Sequence, residues 1–265
     1  MEKLNRKNLV LELRAFAICI AVIGFLSLNI QCHKSKAPDS DIYLPSREST
    51  GPQSIPGAPS YRPGAGVSEF QWPEGKEMGL SITFDDARLS QVDKGIPLLD
   101  KYGVKGTFYV SLGNMAKRLD DWKQAVKNGH DIGNHSIVHP CSGNFSWSRD
   151  KALENYSLEK MRTELDSASR FIKEQLGVKP VSFAYPCGQT FVGRGVTAKS
   201  YIPLIASLFE SGRGWLDEGP NDPGFCDMAQ LTGMELDGKS FKEILNLIET
   251  AKNSGQWLIL AGHEI

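Results

Sequence analysis

The sequence predicts a parallel α/β fold. Two observations carry that expectation: from residue 77 onward short β-branched and aromatic runs alternate with amphipathic helical stretches, and each apolar run ends in polar or turn-forming residues. Repeated strand–helix units favour a parallel sheet, either closed into a barrel or doubly wound. No internal repeat is visible. In both architectures chemistry gathers at the C-terminal ends of the strands.

The elements follow in order. Gly79 to Phe84 reads as a strand. Val92 to Tyr102 reads as a helix, with Val92, Ile96, Leu99 and Tyr102 at helical spacing and Gly103 closing it. Gly106 to Val110 is a second strand. Met115 to Asn128 is a helix stopped by Gly129, with Met115, Leu119, Trp122 and Val126 on one face. Asp131 to Asn134 is a brief strand. Ser157 to Leu176 is a long helix ended by Gly177, and Val181 to Tyr185 is a strand stopped by Pro186. A helix is expected over Ala198 to Phe209, with Pro203 shifting its start. Phe241 to Ser254 reads as an amphipathic helix with Phe241, Ile244, Leu245, Ile248 and Ala251 on its apolar face. Gln256 to Ala261 is a buried strand.

Composition narrows the function classes. The chain has 265 residues, 40% hydrophobic and 23% charged, with a formal charge of −1. That is globular composition, and the near-zero charge argues against a nucleic-acid partner, which needs a dense basic face. The N-terminus stands apart. Lys3, Arg6, Lys7 and Arg14 precede a charge-free run from Ala15 to His33, the pattern of an export signal over residues 1–32. Cys32 just past the run resembles a lipoprotein signal; an ordinary cleaved signal and an uncleaved anchor are the other readings. Residues 33–75 hold seven of the 14 prolines and lack apolar periodicity, so they read as an extended linker, or as an arm docked through Phe70 and Trp72. Residues 76–265 are left to build the folded domain. Export predicts a location in the cell envelope or outside the cell, with a membrane tether through the N-terminus as one outcome.

Scarce polar residues cluster at the strand ends. The first strand runs into Asp85-Asp86, and adjacent carboxylates there must be solvated, paired or metal-bound. The third runs into His135-Ser136-Ile137-Val138-His139, a His-x-x-x-His spacing that puts both imidazoles on one face of a helical turn. With an Asp, the pair supplies three ligands and leaves a position open for water, as in catalytic zinc sites. The strand at Val181 to Tyr185 ends in a Pro186-Cys187-Gly188 turn, suited to aiming a backbone N–H at an oxyanion. The last ends in His263.

Taken together, the ordered set TFDD, HSxxH, YPxG and LxxH resembles the polysaccharide deacetylases of carbohydrate esterase family four, from Glu77 to the C-terminus. The resemblance implies a single catalytic domain folded as a distorted (β/α) barrel of about seven strands. It implies a divalent metal, usually zinc, on Asp86, His135 and His139, with Asp85 as general base and His263 as general acid. It implies that the Cys187 N–H holds the oxyanion and that Leu260 lines a pocket for the acetyl methyl. Trp215 is a candidate sugar-stacking residue. The implied partner is a carbohydrate polymer or oligosaccharide bearing N- or O-acetyl groups. The alternatives are a non-sugar amidohydrolase of the same fold and a surface lipoprotein that binds glycans without turnover.

The third motif departs from the family's Arg-x-Pro-Tyr. Ala184 stands at the Arg position and Cys187 at the Tyr position, which leaves Asp85 without its expected guanidinium; Arg194 and Arg213 are the candidates to replace it. Cys141, Cys187 and Cys226 allow three disulfide pairings. The family usually continues past the strand before His263, so a fragment or a barrel left open at that seam is expected.

Overall fold

The computed structural model describes residues 70–265, which fall in one compact unit. The expected export segment and the linker up to residue 69 lie outside the described residues. No described helix is long and apolar enough to cross a membrane. Trp72 docks on the domain: its Nε1 donates to the Gly255 carbonyl at 2.8 Å. A Cβ on Gly79 would stand 2.6 Å from its ring, so this contact requires glycine at the start of the first strand.

The strands are β1 (Gly79–Asp85), β2 (Thr107–Val110), β3 (Asp131–Asn134), β4 (Ser182–Ala184), β5 (Phe191–Val192), β6 (Lys199–Ser200), β7 (Ser211–Arg213), β8 (Met234–Glu235) and β9 (Trp257–Gly262). Seven form one curled sheet in the order β7-β4-β3-β2-β1-β9-β8. Every ladder in it is parallel. The segment after Gln230 spans the seam between the two edges. Leu231 exchanges hydrogen bonds with Gly212 and Gly214 beside β7, and Met234–Glu235 pairs with β9. The expected distorted barrel is therefore present as a curled half-barrel whose edges are bridged by one short stretch of chain. β5 and β6 form a separate antiparallel ribbon.

The helices are α1 (Ile96–Lys101), α2 (Leu112–Met115), α3 (Leu119–Lys127), α4 (Leu158–Leu176), α5 (Ile202–Leu208) and α6 (Phe241–Asn253). Where one helix was expected from Val92, residues Gln91–Gly95 form a π turn that leads into α1, and the Ile96 N–H reaches Gln91 O. Pro97 lacks an N–H, so the Asp93 carbonyl has no donor four residues on. The helix expected from Met115 begins at Leu112 and is broken by a 3₁₀ turn at Ala116–Arg118. α4 is capped by Ser157, which accepts from the Lys160 N–H, and ends at Gly177 with φ 78°. α5 starts later than expected because Pro203 fits only the first turn of a helix. α6 carries a Ser240/Glu243 capping box. Its buried side is Ile244, Leu247, Ile248 and Ala251; Phe241 is 82% exposed and Leu245 also faces outward, against the expected face.

Strand alternation sorts the side chains. Phe84, Phe108, Val110 and Ile132 face the helices and pack with Trp122 and Ile172. Phe183 packs outward with Leu165, Tyr201 and Ile205. Leu258 and Leu260 pack outward with Met234 and Ala251. The alternate positions Asp85, Tyr109, Gly133 and Arg213 share the inner side. Gly133 is obligatory there, since a Cβ would lie 2.3 Å from the Tyr109 ring.

His130, just before β3, has no part in the site. Its Nδ1 accepts the Gly106 N–H and its Nε2 faces Asp100 Oδ1, both at 3.2 Å. Burial pushes its pKa down, Asp100 opposes this, and the net value lies below that of a free imidazole. The unfolded chain takes up this proton near pH ~6.5, the native chain only at lower pH. Between those values the unfolded state binds more protons, so the contribution of His130 is complete above ~6.5 and is lost as pH falls. His130→Asn, which keeps an acceptor for Gly106, should lose less stability than wild type between about pH 7.5 and about pH 5 in urea unfolding.

Candidate active site

The site stands where β1, β3, β4, β7 and β9 end. Asp86 follows β1 with φ 74°. Its N–H donates to Tyr109 O at 3.0 Å, and its carbonyl accepts from Ser111 Oγ and Asn114 Nδ2 at 2.9 Å each. These bonds hold a backbone turn that a non-glycine residue adopts only when its surroundings impose it.

The two histidines lie on a loop after β3, not on the helical turn their spacing suggested. Ser136 (φ 63°) and His139 (φ 52°) give the loop its shape. Asn134 Oδ1 accepts the Ser136 N–H at 2.7 Å, and Ser136 Oγ accepts the His139 N–H at 3.0 Å. The buried Glu164 accepts from the Ile137 and Val138 N–H groups at 3.1 Å, and Tyr156 donates to its other oxygen at 2.6 Å. Glu164 was not foreseen, because on sequence it is one more polar residue of a long helix.

His135 donates Nδ1–H to the Ala184 carbonyl at 2.9 Å, which leaves Nε2 as the bare nitrogen. That Nε2 is buried without a hydrogen-bond partner and lies 3.7 Å from Asp86 Oδ1. His139 Nε2 lies 3.8 Å from the same oxygen. One donor from each of the three residues falls within 4.8 Å of the others. An orphaned imidazole nitrogen aimed at a carboxylate and a second imidazole is a set of donors that fits a divalent cation. The electrostatics agree. Burial pushes the Asp86 carboxyl up, but His135, His139, Arg88 and His263 together hold it below the usual carboxylate range. Burial, then His135, brings the His139 pKa down to about 4, so both groups present ligand forms at neutral pH.

Asp85 is buried beside the triad and pairs with the equally buried Arg213 of β7. Arg213 also donates to Gly214 O at 2.8 Å, and its guanidinium carbon sits 4.9 Å from the Tyr109 ring centroid. Arg213 thus takes the place left by Ala184. Arg194 does not: it donates to Asn155 Oδ1 at 2.8 Å on the surface.

His263 lies across the cavity. Its Nδ1 pairs with Asp237 Oδ2 at 2.7 Å, and its backbone N–H donates to the same carboxylate at 2.9 and 3.0 Å. Trp215 meets the imidazole edge-on at 4.7 Å. Buried Gln91 donates to Asp85 O and His263 O at 2.7 and 2.8 Å, tying the ends of β1 and β9 together. Asp237 and Gln91 carry no sequence signal, since each acts through a contact more than twenty residues away or with a backbone atom.

Cys187 sits in the turn after β4 with φ 56° and forms a disulfide with Cys141. Its sulfur is therefore no nucleophile; Cys226 is the free thiol among the described residues. The cavity of about 810 Å³ is lined by Asp85, Asp86, His135, His139, Trp215 and His263, among others, and takes in Cys187 and Trp147. Leu260 does not line it. Alternation along β9 turns that side chain onto α6, so the expected acetyl-methyl contact is corrected to a core residue.

Two outcomes follow. Arg213→Met should cost about 3–5 kcal/mol in urea unfolding by stranding Asp85, and Asp85→Asn added to it should recover most of the loss. Zinc at 100 times its Kd should raise stability by about 2.7 kcal/mol, an increment that His135→Ala should abolish in calorimetry.

Comparison with known proteins agrees with the geometry. A family model described as Polysaccharide deacetylase matches residues 73–197. The uncharacterized protein YlxY of Bacillus subtilis is 32% identical over 97 residues, 37% of this chain and 27% of that protein. The peptidoglycan-N-acetylglucosamine deacetylase PgdA of Listeria monocytogenes is 25% identical over 127 residues, 48% of this chain and 24% of its own. The peptidoglycan-N-acetylglucosamine deacetylase of Bacillus cereus is 29% identical over 143 residues, 53% of this chain and 62% of its own. The matches thus span less than two thirds of each of these relatives. Two solved structures share the fold at 22% identity: the Streptococcus pyogenes deacetylase PplD in complex with acetate (TM-score 0.50, 63% of this chain and 69% of that one) and IcaB from Ammonifex degensii (TM-score 0.51, 63% and 71%). With its motifs in order and its strand ends arranged around them, the chain matches the polysaccharide deacetylase family over residues 73–197.

Proposed function

We propose that this protein is a metal-dependent hydrolase that removes acetyl groups from N-acetylated sugars of a carbohydrate polymer. One observation carries the reading: the bare His135 Nε2, His139 and Asp86 converge at one point of a cavity that also holds a paired Asp and a paired His. Asp86, His135 and His139 would hold the cation, and zinc suits their mixed N/O donors. When bound, it supplies Lewis acidity that lowers the pKa of water toward ~7 and polarises an acetyl carbonyl.

The chain's own groups do the rest. Asp85, held by Arg213, takes a proton from the attacking water. The Cys187 N–H, which has no hydrogen-bond partner among the described residues, donates to the developing oxyanion. His263, with Nδ1 held by Asp237, keeps Nε2 free to protonate the leaving amine. A binder without turnover has no use for two such oriented groups in one pocket.

The substrate reading rests on aromatic surface. Trp215 stands beside His263, and Trp147, 56% exposed, lines the opposite side, its ring 6.0 Å from His139 and paired with that of Phe145. Aromatic rings suit the apolar faces of sugars. The relatives named for peptidoglycan N-acetylglucosamine support an amino-sugar substrate. The basic, apolar N-terminus and a disulfide, which persists in oxidising compartments, support export to the cell envelope or beyond, with Cys32 as a lipid attachment point.

The zinc-loaded protein should release acetate from tetra-N-acetylchitotetraose or peptidoglycan; release from neither would sink the reading, and release from acetylated xylan alone would move it to an O-acetyl esterase. Asp85→Asn should keep its zinc and lose about 10²–10⁴ in kcat. Trp147→Ala should lose about tenfold more in kcat/KM on the tetrasaccharide than on 4-nitrophenyl acetate, the scale of one lost stacking contact of about 1.4 kcal/mol.

A further inference from the structure

The third motif is rewired as a whole. Arg213 replaces its missing Arg from another strand, and Cys187 stands where the family carries Tyr. The sulfur of Cys187 reaches Cys141, 46 residues earlier in the chain and two residues past His139. The bond therefore joins the loop that carries two metal ligands to the turn that carries the oxyanion donor.

That junction has few other ties. β3 and β4 share a single register pair, Asn134 with Phe183. Above it, three cross-links join the two segments: the His135–Ala184 hydrogen bond, the disulfide, and the Ser142 N–H donated to Gln189 Oε1 at 2.7 Å. The Cys141 side is rigid: Cys141 is buried, its N–H is accepted by Ser148 Oγ at 3.0 Å, and its carbonyl accepts from Ser148 Oγ and the Leu153 N–H. On the Cys187 side the flanking residues are held, with Gln189 Oε1 accepting the Ser142 N–H and Gln189 O accepting from Tyr201 Oη, both at 2.7 Å. The turn's hydrogen bonds come from the Gly188 and Gln189 N–H groups, so neither fixes the Cys187 N–H itself, and Cys187 holds φ 56° without being glycine. Cys141 Sγ also lies 3.5 Å from His139 Nδ1, beside the nitrogen that does not face Asp86.

We propose that the Cys141–Cys187 disulfide is a positioning element of the site, which fixes the Cys187 N–H at the place where the oxyanion forms and seats His139 toward the metal. This rests on the proposed deacetylase reading for the oxyanion, and on the donor set alone for His139. The consequence is a site disabled by reduction in a protein that stays folded. A phosphine reductant attacks one sulfur, the S–S bond breaks, and water supplies the oxygen of the phosphine oxide and the two protons of the new thiols.

The experiment uses the full chain in two forms without the bond: wild type reduced with tris(2-carboxyethyl)phosphine, with two newly released thiols confirmed by titration, and the Cys141→Ser/Cys187→Ser variant. Near-UV circular dichroism selects folded samples. If the variant fails to fold, the reduced wild type decides; if the bond resists reduction, the variant decides. The expected results are a zinc Kd weakened about 10-fold or more, as for a lost support of a ligating histidine, and kcat on tetra-N-acetylchitotetraose lowered about 100-fold with KM changed far less. Reoxidation of the reduced wild type should restore both. A folded, bond-free sample with the zinc affinity and kcat of the oxidised protein overturns the proposal. An oxidised protein that binds zinc but releases no acetate overturns the deacetylase reading instead, and the zinc titration then decides for the disulfide alone.

Discussion

Asp85 is a carboxylate buried at the end of a central strand, and a charge there is tolerated only beside an opposite charge. Its partner, Arg213, comes from β7, the far edge of the sheet. Three strands lie between them, so in a flat sheet the two backbones would stand roughly 19 Å apart at about 4.8 Å per strand. The ion pair forms only because the sheet curls. Curling turns β1, β2, β3 and β7 toward one axis, and the side chains that share that axis are Asp85, Tyr109, Gly133 and Arg213. Gly133 leaves room for the Tyr109 ring, the ring lies against the guanidinium, and the guanidinium holds the carboxylate. The catalytic geometry and the barrel curvature are one packing problem.

Much of this was legible in the sequence. β1, β2 and β9 are mostly apolar or β-branched runs and β3 is a short segment between a glycine stop and the histidine motif, and all four are expected within a residue or two. The three candidate metal ligands follow from two short motifs whose neighbours in sequence are also their neighbours in space. The remainder depends on distance. β7 and β8 are two or three residues long, with Gly and Arg or Glu among them, and exist because longer strands offer them a free edge. The π turn before α1 and the broken helix after β2 are local departures that apolar spacing does not record. Arg213, Asp237 and Gln91 act across gaps of 128, 26 and up to 172 residues. Leu260 shows the opposite error: a motif position was carried over, whereas strand parity places it with Leu258 on the helix side.

At the third motif two requirements of the proposed chemistry are met by other parts. A guanidinium beside a carboxylate is a requirement of charge, and any strand that curls close enough can meet it. A backbone N–H aimed at an oxyanion is a requirement of position, and here a covalent bond between two loops stands where the family has an aromatic residue. Glu164 and Asn134 serve the His135–His139 loop in the same manner, tying down its N–H groups without touching the imidazoles themselves.

Seven non-glycine residues among those described have positive φ, and all but Glu74 are site residues or adjoin one: Asp86, Ala87, Ser136, His139, Cys187 and Leu216. Each such residue costs roughly 1–3 kcal/mol, against a total stability of about 5–15 kcal/mol for an ordinary domain. Glycine would relax any of these positions. A lineage released from the need for activity therefore has a downhill path: replacing His139 or Asp86 by glycine removes the chemistry and eases the backbone in one step. Long retention of these residues in descendants of this chain would accordingly be a record of selection for function, because selection for folding alone favours their loss.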